Sequence, residues 1–412
     1  MWKKIKNRIS FVWYVYSLDK SQLATTLFDV FVLVFSILDW RSITGRPSLI
    51  LVFLGVLFNF LWQIYNVMSH FKFLKKEDPN NPLTSLLEAE SKGYEDIMVD
   101  PQVEGYIVDP KLGVMVNSKV DEVLRNPNIT IEPVLSTKKR NNTETYIKEY
   151  KDTLLKFLNH KLYDVSMKGG KFTNDKKVCL ASELYDISGK YQWRINKGGY
   201  FDGYLTNFIY TQFVGGNYYK LYPPMNMTNA SIKRLTDSDF SDHIGISTLL
   251  LMKNDQVLVC KQGGNASYSP NRFVPSGSGS MDYADYQRDA DIRSMIIRAS
   301  ERELFEETSL KGKITKEQLG ISTSVLTFFR DMERGGKPEF CCLSRTNLSY
   351  DYLSDSLAPE EAEIEKKGIK SFSFTDEKLW REEILPNASL PLKMCYMAAY
   401  KEIMGKDFVW EE

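Results

Sequence analysis

A stretch of 25 residues without an Asp, Glu, Lys or Arg, from Pro47 to Phe71, constrains this chain most. Its core, residues 49–68, consists mainly of Leu, Ile, Val and aromatic residues. A helix needs roughly 20 predominantly apolar residues to cross the hydrocarbon core of a bilayer. The segment therefore predicts a transmembrane helix over residues 49–68.

A second apolar run lies directly upstream, from Leu23 to Leu38, and is followed by Asp39 and Trp40. It predicts another span over about residues 23–40. The connection between the two runs, residues 41–47, is short and contains Gly45 and Pro47, which favour a turn. Residues 1–76 are thus predicted to form a two-helix transmembrane hairpin.

The basic residues that flank the spans predict their orientation. Five precede the first span, two lie in the connection and three follow the second span: Lys3, Lys4, Lys6, Arg8 and Lys20; Arg41 and Arg46; Lys72, Lys75 and Lys76. The positive-inside rule then places both termini in the cytoplasm, as in a multi-pass protein. We expect the aromatic stretch 11–16 to lie at the level of the lipid headgroups. A cleaved signal peptide is disfavoured because the 9–18 run lacks a small-residue cleavage site.

Three polar residues interrupt the predicted spans: Asp29 in the first, and Asn59 and Gln63 in the second. A carboxylate at that depth costs on the order of 3 kcal/mol, so Asp29 is expected to face a partner helix or water. In one interpretation a single hairpin satisfies these groups internally. In the other, they join several hairpins or line a pore between them.

The charge and cysteine content of the remaining chain excludes several classes of protein. Residues 77–412 carry 43 Lys and Arg against 50 Asp and Glu, a mildly acidic balance that argues against binding to nucleic acid polymers. The five cysteines form no Cys-x-x-Cys pair, and there are only three histidines. The sequence therefore predicts neither a disulfide framework nor a zinc site.

Turn-forming residues predict a linker over residues 77–95, followed by a cytosolic region, 96–235, whose fold the sequence does not determine. Two short strands around a turn are expected within 106–116, and an amphipathic helix over 143–162. The segment 178–213, rich in Tyr, Gly and Phe, is compatible with strands or with loops.

The final region, 236–412, has a clearer pattern. Apolar runs at 244–252 and 256–261 flank Lys253-Asn-Asp255 and predict a β-hairpin. A glycine-rich turn follows at 275–279, then a helix over 292–310, strands at 324–332, 339–344 and 369–374, and a closing helix over 390–404. The expected fold class is α/β, with a mixed sheet between helices in an α/β/α arrangement.

Three glutamates on the 292–310 helix carry the most informative chemistry. Glu303, Glu306 and Glu307 stand at i, i+3 and i+4 and share one helical face. Like charges at this spacing destabilise a helix, so a cation is expected to compensate them. Mg²⁺ is held by carboxylates and substrate phosphates, and it can activate water for attack on a diphosphate. The alternative is a solvated acidic face on a surface helix.

The segment from Arg302 to Leu310 resembles the end of the Nudix box. It matches six of the seven fixed positions: Arg302, Glu303, Leu304, Glu306, Glu307 and Leu310. Ser309 replaces the glycine of the box, and the 23 positions between Gly279 and Arg302 are more than the box contains. The extra segment, 281–291, brings Asp282 and Asp285, either of which is a candidate substitute for the further glutamate of the box.

The resemblance covers about residues 240–405 and implies a Nudix-like domain over 236–412. It implies that Glu303, Glu306 and Glu307 bind Mg²⁺, that Arg302 orients them, and that Arg302, Gly277 and Gly279 contact the ligand. If the domain turns over a substrate, Glu306 and Glu307 are the expected catalytic residues.

A transmembrane hairpin joined to a divergent Nudix domain resembles the transmembrane-Nudix effectors of bacterial cyclic-oligonucleotide antiphage signalling, CBASS. That resemblance implies a sensor of a cyclic nucleotide that assembles into a homo-oligomer and disrupts the lipids of the inner membrane. Two alternatives stay open. One is a membrane-anchored, Mg²⁺-dependent pyrophosphohydrolase of a nucleotide or a lipid-linked diphosphate, and the other is a membrane tether whose soluble domain is a protein-interaction scaffold.

Overall fold

The structure is a computed structural model of the whole 412-residue chain. It describes residues 2–18, 20–40, 44, 46–72, 98–99, 105–167, 172–208, 231–263, 269, 271–288, 290–308, 314–354 and 368–409. The predicted linker over 77–95 lies outside the described residues, as do Ser309 and Leu310 of the box.

Helices and strands alternate along the described chain. The helices are α1 Trp2–Leu18, α2 Lys20–Leu38, α3 Pro47–Lys72, α4 Ser118–Arg125, α5 Lys138–Glu149, α6 Lys151–Met167, α7 Tyr200–Gly203, α8 Ile292–Glu307, α9 Lys316–Leu319, α10 Tyr350–Ser354, α11 Glu377–Leu379 and α12 Leu390–Met404. The strands are β1 Met98–Val99, β2 Ile107–Asp109, β3 Val114–Val116, β4 Ile131–Leu135, β5 Lys176–Ile187, β6 Lys190–Gly199, β7 Ser231–Ile232, β8 Gly245–Met252, β9 Gln256–Lys261, β10 Phe273–Val274, β11 Gly277–Ser280, β12 Ser322–Asp331, β13 Lys337–Arg345 and β14 Lys370–Ser373.

A nine-stranded mixed sheet forms the centre of the C-terminal region. Its main order is β10-β9-β8-β13-β12-β3-β2, with β11 paired to β8 and β14 paired to β9. The β8–β13 pair is parallel, and the other pairs in this sheet are antiparallel. The sequence-predicted hairpin at 244–261 is confirmed as β8 and β9, which turn at Asn254 and Asp255 with positive φ.

The sheet lies between two helices, and alternate residues of β13 show how. Phe340 and Cys342 belong to the core cluster that includes Met295, Ile296 and Ala299 of α8. Cys341 and Leu343 belong instead to the cluster that contains Leu392, Cys395 and Tyr396 of α12. Successive side chains of a strand point to opposite faces, so β13 is buried on both sides. The mixed α/β class predicted from the sequence is confirmed.

A second, three-stranded sheet, β4-β6-β5, accounts for much of the region that the sequence left undetermined. Residues 176–199 form the antiparallel pair β5 and β6. The single helix predicted over 143–162 is wrong in detail, because the chain forms α5 and α6 with Tyr150 between them. Isolated bridges from Lys177 to Asp282 and from Cys179 to His243 join β5 to the C-terminal region.

The N-terminal helices differ in whether they are long and apolar enough to cross a membrane. By length and composition alone, Pro47–Asn66 in α3 is the one helix of the described chain that is long and apolar enough to cross a membrane. A second span is counted only if Ile5–Leu18 and Leu23–Leu38, which are bent by 112° relative to each other, are taken together. The predicted first span over 23–40 corresponds to α2, which ends at Leu38 and packs against α3.

Candidate functional site

Helix α8 presents the box residues to strand β11. Asp291 caps the helix by accepting a hydrogen bond from the backbone N–H of Arg293 at 2.8 Å. Ile292, Met295, Ile296 and Ala299 fix the helix to the sheet through the core. The last two turns of α8, which carry Arg302 and the glutamates, consequently lie over β11.

The two glycines of β11 permit this close approach. A Cβ atom on Gly277 would lie 2.5 Å from the backbone nitrogen of Leu304. A Cβ atom on Gly279 would lie 2.3 Å from the Glu303 carboxyl carbon. Gly277 is therefore required for helix–strand packing, whereas a side chain at position 279 would have to displace the Glu303 carboxylate. The ligand contacts expected of Gly277 and Gly279 stay predictions.

Arg302 is the centre of an ion-pair cluster. Its Nη1 lies 2.9 Å from Glu303 Oε1 and 3.1 Å from Glu306 Oε2. Its Nη2 donates to Asp285 Oδ2 at 2.9 Å, and its Nη1 lies 3.6 Å from Asp282 Oδ2. The guanidinium thus contacts carboxylates from both α8 and the extra segment, so Asp282 and Asp285 do reach the box, by way of Arg302.

Glu307 has a separate environment. It is buried, and its Oε2 accepts a hydrogen bond from the backbone N–H of Ser278 at 2.7 Å. The Ser278 hydroxyl lies 3.4 Å from Glu307 Oε1. Glu307 therefore fixes the end of α8 to the backbone of β11. The structure brings the three predicted glutamates to one region but gives them different partners.

Burial and charge oppose each other in this cluster. Burial raises the pKa of Glu303 to about 8, although Arg302 and Lys177 act to lower it. Burial also acts to lower the pKa of Arg302, but Glu303, Asp285 and Asp282 outweigh it and raise that pKa. Arg302 is consequently held in its charged form, whereas burial works against the charged form of Glu303.

The extra segment is attached to the three-stranded sheet beside the cluster. Lys177 of β5 donates a hydrogen bond to Asp282. The ring of Tyr283 lies 4.3 Å from Lys197 Nζ and stacks on Tyr286 at a centroid distance of 5.5 Å. The two tyrosines therefore have partners within the protein. Lys177 and Lys197 place positive charge next to the acidic residues around Arg302.

Four carboxylates, those of Asp282, Asp285, Glu303 and Glu306, lie around the single guanidinium of Arg302. Oxygen ligands of this kind suit Mg²⁺. Within the described part of the chain, no group of three or more His, Cys, Asp or Glu side chains is arranged to hold a metal ion. The predicted Mg²⁺ stays a prediction, and Arg302 occupies the position from which a cation would contact these carboxylates.

Polar residues of α2 and α3 contact one another. Asn59 Nδ2 donates to Asp29 Oδ2 at 2.7 Å, and Gln63 Nε2 donates to the same oxygen at 3.2 Å. Thr26 donates to the Gln63 side-chain oxygen. Asp29 is only 3% exposed. One chain thus satisfies this carboxylate internally, as the first of the two interpretations of the sequence expected.

A second buried charge cluster, at the β12–β13 turn, was missed from the sequence. Arg334 contacts Asp331 at 2.6 Å and Glu339 at 2.7 Å, and Lys337 also pairs with Glu339. Burial lowers the pKa of Lys337 to about 8. The sequence signal that could have revealed it is the run of charged residues around Gly335 and Gly336. The cluster fixes this turn to the region around Asn207, which donates to the Arg334 carbonyl at 3.0 Å.

Comparisons with known proteins give little help with identity. The chain matches no protein-family model and no curated protein sequence. One solved structure that it is similar to is the crystal structure of DR0079 from Deinococcus radiodurans, at 14% sequence identity and a TM-score of 0.22. The match covers 32% of this chain and 67% of that chain. At that TM-score the similarity carries no argument about fold or function.

Proposed function

We propose that this chain is a membrane effector that senses a cyclic nucleotide, in the manner of the transmembrane-Nudix effectors of CBASS. Residues 236–412 form a Nudix-like sensor domain in the cytosol. Helices α2 and α3 form a hairpin in the bacterial inner membrane, with both termini in the cytoplasm. Ligand binding favours assembly of several chains, and the clustered hairpins then disrupt the bilayer.

The observation that carries the proposal is the physical connection between the sensor region and the hairpin. Helix α1 leads into α2, yet Phe11 and Tyr14 are buried in a core cluster that also contains Leu154 of the 96–235 region and Phe240 and Met332 of the proposed sensor domain. A change in the cytosolic region that moves α1 would then also act on α2, which follows α1 in the chain. This arrangement suits a protein in which the soluble part controls the membrane part.

The partners of the box residues favour sensing over catalysis. Arg302 contacts Glu303 and Glu306, and Glu307 is engaged by Ser278. Carboxylates in direct contact with a guanidinium are less free to bind Mg²⁺ and its water. This arrangement favours binding of a phosphate-containing ligand over Mg²⁺-dependent turnover.

The hydrolase is the second candidate, and one observation favours it. Four carboxylates surround one guanidinium, and the side chain of Glu306 is 34% exposed. If a substrate phosphate draws Arg302 away, these carboxylates become available to Mg²⁺. Phosphate binding to Arg302 and metal binding to the glutamates would then be coupled.

A titration with product analysis separates the two candidates. The full-length chain in lipid nanodiscs is titrated by calorimetry with cyclic di- and trinucleotides in the presence of Mg²⁺, and the nucleotides are then separated by chromatography. A saturable isotherm with the compound recovered intact supports the sensor. Absence of binding across this panel contradicts the sensor. The hydrolase is tested with a linear dinucleotide that contains a diphosphate bond: its conversion supports the hydrolase if Glu306→Gln abolishes that conversion, and recovery of the intact compound contradicts it.

A further inference from the structure

Helix α1 has two opposite apolar faces, of which the described part of the chain covers one. The inner face, formed by Phe11, Tyr14, Val15 and Leu18, lies in the core of the cytosolic region. On the outer face, Ile5 is 39%, Ile9 is 51% and Trp13 is 60% exposed. Because an α-helix has 3.6 residues per turn, residues spaced by four form one stripe along it.

The inner face also makes polar contacts that fix the rotation of α1 about its axis. The fully buried Asn7 side chain donates to Ser166 Oγ at 3.1 Å and accepts from the Phe172 N–H at 2.8 Å. Ser10 Oγ accepts from the Asn174 N–H at 2.8 Å. These bonds hold the stripe of Ile5, Ile9 and Trp13 on the side away from the cytosolic core.

We propose that the outer face of α1 lies on the membrane surface, with Ile5, Ile9 and Trp13 inserted among the lipid headgroups. The proposal rests on the proposed membrane location of α3. It names lipid as the occupant because α1 is continuous with the membrane region: the chain bends by 112° between Ile5–Leu18 and Leu23–Leu38. A helix that is packed against a cytosolic domain and followed by such a bend is placed along the surface.

The residues beside the stripe fit the same location. On a helical wheel, Lys6 and Arg8 fall on the two sides of the stripe, and both are exposed. Lys and Arg next to Trp and aliphatic residues are typical of helices that lie in the interfacial plane of an anionic membrane. Trp is enriched at this depth because its ring is apolar and its N–H is polar. Helix α1 therefore binds the cytosolic region on one face and lipid on the other.

Site-directed spin labelling of the full-length chain in phospholipid vesicles tests the proposal. Single cysteines are introduced by Ile9→Cys or Trp13→Cys, with Phe58→Cys (69% exposed, in α3) as the lipid reference and Ile187→Cys (53% exposed, in the cytosolic region) as the water reference. The native cysteines are all buried and give little background labelling: Cys179, Cys260, Cys341, Cys342 and Cys395.

The measured quantity is the accessibility of each nitroxide to oxygen, which concentrates in lipid, and to a water-soluble nickel chelate. We expect a raised oxygen-to-nickel accessibility ratio at positions 9 and 13, between those of positions 58 and 187. A ratio equal to that of position 187 would place the face in water and overturn the proposal. Low accessibility to both reagents would show a protein partner on the face and would also overturn it. A water-like value at position 58 itself would contradict the membrane location of α3, and thus the proposed function.

Discussion

The hydroxyl of Tyr14 in α1 donates a hydrogen bond to Asp202 Oδ1 at 2.8 Å, across a separation of 188 positions in the sequence. The other oxygen of Asp202 accepts from the Gly199 N–H at 2.7 Å, at the end of β6. This carboxylate thus joins α1, the helix that precedes α2, to the sheet that carries Lys177 and Lys197. The route from the candidate site to the hairpin passes through β6, Asp202 and α1.

Weakening the α1 contact is expected to destabilise the cytosolic region. Phe11 is fully buried, and truncation of such a side chain typically costs about 3–5 kcal/mol. We expect Phe11→Ala to lower the free energy of unfolding by about this amount in denaturant titrations of the detergent-solubilised chain. Tyr352→Ala is the control, because Tyr352 is 62% exposed, and its cost should stay within about 0.5 kcal/mol. Equal effects of the two substitutions would show that α1 is not part of the core.

The Asp29 contacts are expected to stabilise the resting hairpin. Asp29→Asn keeps an oxygen that accepts from Asn59, whereas Asp29→Leu leaves the amides of Asn59 and Gln63 without this acceptor. Hydrogen bonds between membrane helices contribute on average about 0.6 kcal/mol each, so Asp29→Leu should cost about 1 kcal/mol more than Asp29→Asn. Thermal unfolding of the two variants in the same micelles measures the difference. A leucine variant as stable as the asparagine variant would contradict the intramolecular network.

The stability of the domain should fall with rising pH because of Glu303. Its pKa is raised from 4.5 to about 8, so over this interval the folded chain holds a proton that the unfolded chain has lost. The contribution of Glu303 to the free energy of unfolding is therefore fully present at low pH. It is lost as the pH rises from 4.5 through about 8. Glu303→Gln should give a flatter curve of unfolding free energy against pH between 5 and 9. Parallel curves for the two proteins would contradict the burial of this carboxyl.

Alanine substitutions in β11 should distinguish a clash with backbone from a clash with a side chain. Gly277→Ala meets the backbone of Leu304, whereas Gly279→Ala meets the Glu303 carboxylate. Overpacking of this kind typically costs about 1–3 kcal/mol, and we expect Gly277→Ala to be the more destabilising, because the helix itself must move. In a Glu303→Ala background, Gly279→Ala should cost less than in the native chain, since its obstacle is gone. If Gly279→Ala lowered the free energy of unfolding equally in the native chain and in the Glu303→Ala variant, the direct contact between position 279 and Glu303 would be contradicted.

The sequence determined the central sheet well because its signals are local. The 244–252 and 256–261 runs correspond to β8 and β9, and the closing helix was predicted over the same residues as α12. The helix predicted over 292–310 corresponds to α8, which ends at Glu307, and its three glutamates lie in one region close to Arg302 and β11. The partners of Arg302 were only partly predictable, because Asp282 and Asp285 reach it through a segment that has no fixed register in the box.

The role of α1 was not predictable from its composition. Residues 11–16 are apolar on all sides of the helix. Such a composition is typical of a membrane-associated helix, and it does not reveal whether one face is buried in protein. Its inner partners, such as Leu154, Phe172 and Phe201, lie more than 130 positions away in a region that carries no strong periodic signal. The ion pairs of Arg334 join residues only three and five positions away, but a local run of charged residues does not by itself predict that the charges are buried.

Release of a trapped fluorescent dye from phospholipid vesicles containing the full-length chain tests the central claim most directly. Cyclic di- and trinucleotides are added one at a time, and the account predicts that one of them causes leakage that saturates with its concentration. Phe11→Ala, which weakens the link between α1 and the cytosolic region, should reduce the ligand dependence of that leakage. Vesicles that stay sealed with every compound, or leakage that is the same with and without nucleotide, would contradict control of the membrane hairpin by the soluble domain.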